Sequence, residues 1–228
     1  MIPWILLDTA AVPGGGELRL LQRGAEFSIR LGHNELMNSR IHGSEEALAE
    51  IACARVGRRS RPRILIGGLG MGFTLRAALD GLGAEAQVVV AELVPAVVAW
   101  NRDALAPLSG HALDDARVTV REGDVAETIR SERAAYDAIL LDVDNGPEGL
   151  SRSANDRLYD LEGLGAAHAA LRPGGVLAVW SAGEDASFTR RLRKPGFTVE
   201  EIRVRARGPR GGARHVIWLA TTAAGARG

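Results

Sequence analysis

Arg63-Ile64-Leu65-Ile66-Gly67-Gly68-Leu69-Gly70-Met71-Gly72 decides how the chain folds. Ile64 to Ile66 is a short, continuously apolar run, as expected of a strand buried on both faces. Glycines end it, Phe73 to Leu82 carries helical spacing, and Val88 to Ala91 is a second apolar run. That order predicts a βαβ unit with a parallel strand pair. Glycines between strand and helix let the backbone turn tightly and approach a ligand closely, and the helix leaves its first amides free to bind one.

Outward from this unit the alternation continues. A helix from Pro95, a strand over Arg117 to Val120, a helix from Asp124, a strand over Ala138 to Leu141, a polar loop, a helix over Leu158 to Leu171, a strand over Val176 to Trp180 and a helix over Glu184 to Arg193 follow in turn. Such alternation implies an α/β chain whose sheet is covered on both faces. Two strand-like runs close it, Thr198 to Val204 and His215 to Ala220, joined by the Gly- and Arg-rich stretch from Arg207 to Arg214. A mostly parallel sheet with an antiparallel C-terminal strand is the Rossmann-like methyltransferase fold. Upstream, Trp4 to Leu7, Glu17 to Leu21 and Glu26 to Leu31 are β-prone and are separated by Pro13-Gly14-Gly15-Gly16 and Gly24, which predicts a short antiparallel flap. Ser44 is positioned to cap a helix over Glu45 to Val56. The expected organisation is a flap over residues 1–40, a nucleoside-binding catalytic domain over 41–221 and a frayed tail over 222–228.

Strand ends carry the candidate ligands. Gly68, Leu69, Gly70 and Gly72 follow the first strand, and Glu92 ends the next one about 20 residues on, where an acid accepts the hydroxyls of a ribose. Gly123-Asp124 follows the third strand. Asp124 could accept from the exocyclic amine of adenine, and Asp124 with Glu127 also forms a capping box; its two oxygens allow both. After the fourth strand come Asp142-Val143-Asp144-Asn145-Gly146-Pro147. Asp144 and Asn145 make a good turn, yet paired carboxylates also suit an alkylamine, which arrives as a cation and must lose a proton before it attacks.

From about Glu35 to Ala220 the chain resembles the spermidine synthase family of polyamine aminopropyltransferases. Arg63 to Gly68 with Gly70, Gly72 and Leu75-Arg76 looks like that family's glycine loop. Ala91-Glu92 and Gly123-Asp124 are similar to its ribose and adenine positions, and Tyr136 to Asp142 to the strand bearing its catalytic Asp. Leu171 to Gly175 matches a turn shared with most methyltransferases of this fold. The resemblance implies decarboxylated S-adenosylmethionine as donor, an amine acceptor, Asp142 with Asp144 as catalytic residues, no metal, and a homodimer. Three departures stand out. Met71 replaces an acid of the glycine loop, the catalytic loop lacks the Asp-x-x-Asp-Pro spacing, and the amine-seating Tyr-His/Gln-Glu element is represented only by His42 and Glu46.

Those departures leave three functions open: an aminopropyltransferase, a methyltransferase using intact S-adenosylmethionine, which Met71 favours, and a nucleoside-binding domain without turnover. Composition constrains them further. The 228 residues are 46% hydrophobic and 25% charged, ordinary globular values. No apolar run has the length of a membrane span, there is no signal-peptide pattern, and Cys53 is the only cysteine, so a cytoplasmic setting is expected. Residues 190–228 hold nine arginines and Lys194 against Glu200 and Glu201, a surplus of eight that the rest of the chain balances. Arginine is the chain's general surface cation, and nucleic acid is not the expected partner. No phosphate-binding G-x-x-x-x-G-K-[ST] is present. The five histidines show no metal-ligand spacing, and Trp180 and Trp218 are expected in the core.

Overall fold

The computed structural model describes residues 2–57, 59–143 and 157–225. Among the described residues eleven strands form two sheets. An antiparallel sheet holds β1 (Ile5–Ala11), β2 (Glu17–Arg23), β3 (Glu26–Leu31) and β4 (Asn34–Asn38). The second sheet, in spatial order, is β10 (Thr198–Arg205), β11 (Arg214–Thr221), β9 (Leu171–Ser181), β8 (Tyr136–Leu141), β5 (Arg63–Gly67), β6 (Gln87–Glu92) and β7 (Val118–Glu122). Strands β7, β6, β5, β8 and β9 run parallel, while β11 is antiparallel to both β9 and β10. This is the expected α/β architecture.

Side-chain alternation divides the interior in two. Ile64, Ile66, Val88, Val90, Ala138 and Leu140 point to the face covered by α1 (Gly43–Val56), α2 (Phe73–Gly81) and α3 (Pro95–Arg102). Leu65, Val89, Ile139 and Leu141 point to the other face, under α4 (Val125–Arg130), α5 (Leu161–Ala170) and α6 (Ala186–Arg193). Period-2 placement on both faces is why these strands are apolar at every position. Trp218 is fully buried on the second face, and the Cys53 thiol, buried on the first, is pushed up to about 11 by desolvation.

The flap differs from expectation by a strand. β4 has the polar sequence Asn-Glu-Leu-Met-Asn and exists because β3 pairs with it, Ile29 opposite Met37. The flap also shares the main core. Leu18, Leu20, Phe27 and Ile29 are buried with the residues of α1 to α3, and Trp100 Nε1 donates to Asp8 Oδ2 at 2.7 Å. At the other terminus residues 222 and 223, expected in a frayed tail, are held by hydrogen bonds. Thr222 N donates to Gly175 O at 2.9 Å, its hydroxyl donates to Arg172 O at 3.0 Å, and Gly174 N reaches Ala223 O at 2.9 Å. Ser44 is not a cap, because helix α1 begins one residue earlier, with His42 at the cap position.

At the edge of the sheet where strand β8 begins, Asp137 is 2% exposed and accepts from Arg59 Nη1 at 2.6 Å, Arg172 Nη1 at 2.7 Å and Arg63 N at 2.8 Å. A buried carboxylate is tolerable when charged and backbone donors satisfy it in this way. The opposite edge is the one that matters for chemistry.

Candidate active site

Register places the site residues in a row. Gly67 lies opposite Ala91 on one side and Leu141 on the other, Leu141 lies opposite Val179, and Glu92 lies opposite Glu122. The next residues outward are therefore Trp180, Asp142, Gly68, Glu92 and, past β7, Asp124. Strands about 4.8 Å apart space these groups along one edge of the sheet, where open α/β sheets bind ligands.

A cavity of about 210 Å³ sits on that edge. Gly68, Gly70, Glu92, Asp124, Asp142 and Trp180 are on its wall, and Leu31, Leu36 and Met37 of the flap close it from above. Gly68 has φ +87°, and a Cβ there would collide with the backbone carbonyl of Asp142. Only glycine lets β5 pass so close to β8. A Cβ on Gly70 would meet Met37 Sδ at 2.8 Å, so the flap rests directly on the glycine turn.

Glu92 is 7% exposed and works from beneath this turn. Its Oε2 accepts from Leu69 N and its Oε1 from Val94 N, both at 2.8 Å. Glu92 is also on the cavity wall. Asn101 Nδ2 donates to Gly70 O at 2.8 Å and fixes the turn from the other side. Leu69 itself is buried, contributing its amide to Glu92 rather than a surface to the cavity, and Gly72 starts α2 with φ +80°. Asp124 caps α4, accepting from Ala126 N at 2.8 Å through Oδ1, while it also lines the cavity.

Asp142 stands on the wall beside an acid that motif reading passed over. Thr74 Oγ1 donates to Asp142 Oδ2 at 2.6 Å, and Glu45 from α1 lines the same cavity. Desolvation pushes Asp142 up to about 6 against the Thr74 hydrogen bond. Desolvation first, and then the charge of Asp142, pushes Glu45 up to about 7. His42 and Glu46, the expected counterparts of the amine-seating element, lie elsewhere. His42 stacks on Phe73 at 4.1 Å, and its Nδ1 is 3.0 Å from Glu46 Oε1. The signal for Glu45 was its spacing, since Leu48, Ala49 and Ala52 follow on the buried face of the same helix.

Two other side chains stand differently from expectation. Met71 is fully buried in the core and is not on the cavity wall, so its replacement of an acid does not by itself set the surface a donor meets. Trp180, expected in the core, lines the cavity at the end of β9. Asp144 and the loop after it lie outside the described residues, and no role is assigned to them from the structure. Among the described residues no group of three His, Cys, Asp or Glu is arranged to hold a metal ion.

Comparison with known proteins finds similarity in sequence and in fold. The chain is 32% identical over 178 residues to polyamine aminopropyltransferase 2 of Streptomyces coelicolor, a match covering 74% of this chain and 31% of that protein. It is 32% identical over 123 residues to polyamine aminopropyltransferase 2 of Pseudomonas aeruginosa, covering 52% and 33% respectively. The chain thus spans about a third of the length of these relatives. Spermidine synthase from Thermotoga maritima superposes with a TM-score of 0.74 at 19% identity, covering 95% of this chain and 72% of that one. A spermidine synthase in complex with the transition-state analogue AdoDATO gives 0.73, at the same identity and coverage. No protein-family model matches. The fold is an α/β fold of the methyltransferase type with a cavity at the strand ends. Within that class the chain is similar in sequence to polyamine aminopropyltransferases and in fold to spermidine synthase.

Proposed function

We propose that the chain transfers an aminopropyl group from decarboxylated S-adenosylmethionine to a small amine. The order of groups along the sheet edge carries this reading. Asp124 suits adenine, Glu92 the ribose, the glycine turn at Gly68 and Gly70 the sulfonium, and Asp142 with Glu45 an ammonium, the same order in which those groups occur in a donor with its acceptor beside it. The names of the relatives support it. In the reaction the acceptor nitrogen, after losing a proton to the carboxylate pair, attacks the aminopropyl carbon. The carbon–sulfur bond breaks, and the sulfur keeps the electron pair as neutral methylthioadenosine. Holding both reactants in line in a dry cavity supplies much of the acceleration.

Flap residues 1–40 act as the cover and residues 41–221 as the catalytic body. The flap's edge strand β1 exposes Ile5, Leu6 and Leu7, which supports a homodimer through that edge. No helix among the described residues is long and apolar enough to cross a membrane, and a cytoplasmic setting fits the single buried thiol.

The test is calorimetry with decarboxylated S-adenosylmethionine, the intact donor and methylthioadenosine, followed by mass spectrometry of products with putrescine and spermidine. Tighter binding of the decarboxylated donor and a 57-dalton aminopropyl adduct, the mass of C3H7N added to the amine, are expected (about 57 from the group's own formula). Equal or tighter binding of intact S-adenosylmethionine with a methylated product would replace this reading by methyl transfer.

A further inference from the structure

Transfer to an ammonium releases a proton inside a cavity that the substrates fill. Bound donor and acceptor displace water from that cavity, so the proton needs a way out. A line of hydrogen-bonding groups leads away from it. Glu45 is on the cavity wall. Ser44 Oγ donates to Glu45 Oε2 at 2.8 Å, and His215 Nδ1 lies 2.9 Å from Ser44 Oγ. Ser44 is fully buried, whereas His215 is partly exposed. Acid, hydroxyl and imidazole therefore connect the inside of the cavity to the surface in two short steps.

Resting on the aminopropyl-transfer reading, we propose that Glu45, Ser44 and His215 form a relay that carries the acceptor's proton to solvent. The ammonium N–H bond breaks as an O–H bond forms on Glu45. The Ser44 hydroxyl turns from Glu45 to the unprotonated Nδ1 of His215, Glu45 donates to Ser44 Oγ as the Ser44 proton passes to Nδ1, and His215 releases the proton on Nε2 to water. One proton leaves, and His215 ends as the other neutral tautomer, which it exchanges back through solvent. Burial lowers the proton affinity of His215, which keeps the ring neutral and able to accept transiently.

Several groups surround the relay. Around Glu45 stand Asp142 from the end of β8, Thr74 of α2, whose hydroxyl lies 3.3 Å from the Glu45 carbonyl, and Ser44 and Glu46 on its own helix. Against His215 stand Ser44 and Trp180, whose ring meets the imidazole edge to face at 4.9 Å between centroids. Trp180 thus orients the imidazole from the cavity side. The hairpin that carries His215 is tied to the start of α1 by Gly43 N donating to Ala206 O at 2.9 Å, which holds both ends of the relay in register.

Nitrogen-15 NMR of the histidine rings and kinetics of His215→Asn test the relay together. Asparagine can still donate to Ser44 but cannot pass a proton. The His215 tautomer and titration should differ between the wild-type chain and Glu45→Gln. His215→Asn should lower kcat by tenfold or more, leave methylthioadenosine affinity and the KM for the amine within about twofold, and recover with imidazole in the buffer. A His215 resonance indifferent to Glu45→Gln overturns the relay, as does His215→Asn at wild-type rate or a loss that imidazole does not restore. If the wild-type chain forms no aminopropyl product, it is the proposed function that fails, and the NMR measurement still decides whether Glu45 and His215 are linked.

Discussion

Glu45 on helix α1 and Asp142 at the end of strand β8 are electrostatic neighbours on one cavity wall, each holding its proton more tightly than an exposed carboxyl. Burial makes charge costly there, and two like charges close together make it costlier. A bound ammonium reverses both effects. The pair is therefore suited to exchanging protons for a cation as substrate enters.

That exchange fixes a pH dependence. Folded-state values of about 7 for Glu45 and about 6 for Asp142 lie above the ordinary carboxylate range, so between those ranges the folded chain binds more protons than the unfolded one. Stability without ligand falls as pH rises through this window and levels off above about pH 7, with a total on the order of 6 kcal/mol. Amine affinity runs the other way, rising roughly tenfold from about pH 6 to 8 as the pair ionises. Thermal unfolding and calorimetry at several pH values measure the two slopes, and Glu45→Gln should flatten both.

Asp142→Asn removes the carboxylate that Thr74 holds on the cavity wall without changing its size. Turnover should fall by at least about a hundredfold, the usual scale for a lost proton acceptor, while methylthioadenosine affinity stays within a few fold. Single-turnover kinetics and calorimetry separate the two quantities. A large loss of nucleoside affinity would instead place Asp142 in the donor site.

Glu92→Gln should do the reverse. The carboxylate takes the amides of Leu69 and Val94, and a glutamine presents an NH₂ to one of them, so the turn above it loses its anchor as the ribose loses an acceptor. Charge-assisted hydrogen bonds contribute about 1.5–3 kcal/mol each, so methylthioadenosine affinity should drop by roughly tenfold or more. Calorimetry with the nucleoside alone reads this without reference to turnover.

How much of this was legible in the sequence depended on whether local residues or distant partners decided each feature. Ile64 to Ile66, Val88 to Ala91 and Ala138 to Leu141 declared themselves because a strand covered on both faces is apolar throughout. Asn34 to Asn38 did not, because its strand character comes from pairing with β3. Glu92 was readable from its position after a strand. Glu45 and Glu46 are adjacent acids, and only helix phase separates the one on the cavity wall from the one facing His42. Ser44 and His215 are 171 residues apart, a contact that no local pattern encodes.

Asp137 offers a test of the scaffold apart from the chemistry. It is the second residue of strand β8, just past whose far end Asp142 stands, and it joins Arg59, Arg172 and the backbone of Arg63 at the opposite edge of the sheet. Asp137→Asn keeps the volume but leaves two guanidinium groups facing a neutral amide that can accept through only one oxygen. Removing one partner of a buried charged cluster typically costs about 3–5 kcal/mol, and the partial exposure of both arginines places the expected loss nearer about 2–3 kcal/mol. The midpoint of denaturant unfolding should shift accordingly. Because strand β8 still pairs with β5 and β9 along its length, the folded fraction should bind methylthioadenosine as tightly as the wild-type chain. A variant of unchanged stability would show that the two arginines are held by the carbonyls of Pro173, Gly174 and Ala134, which they also reach, rather than by the buried acid.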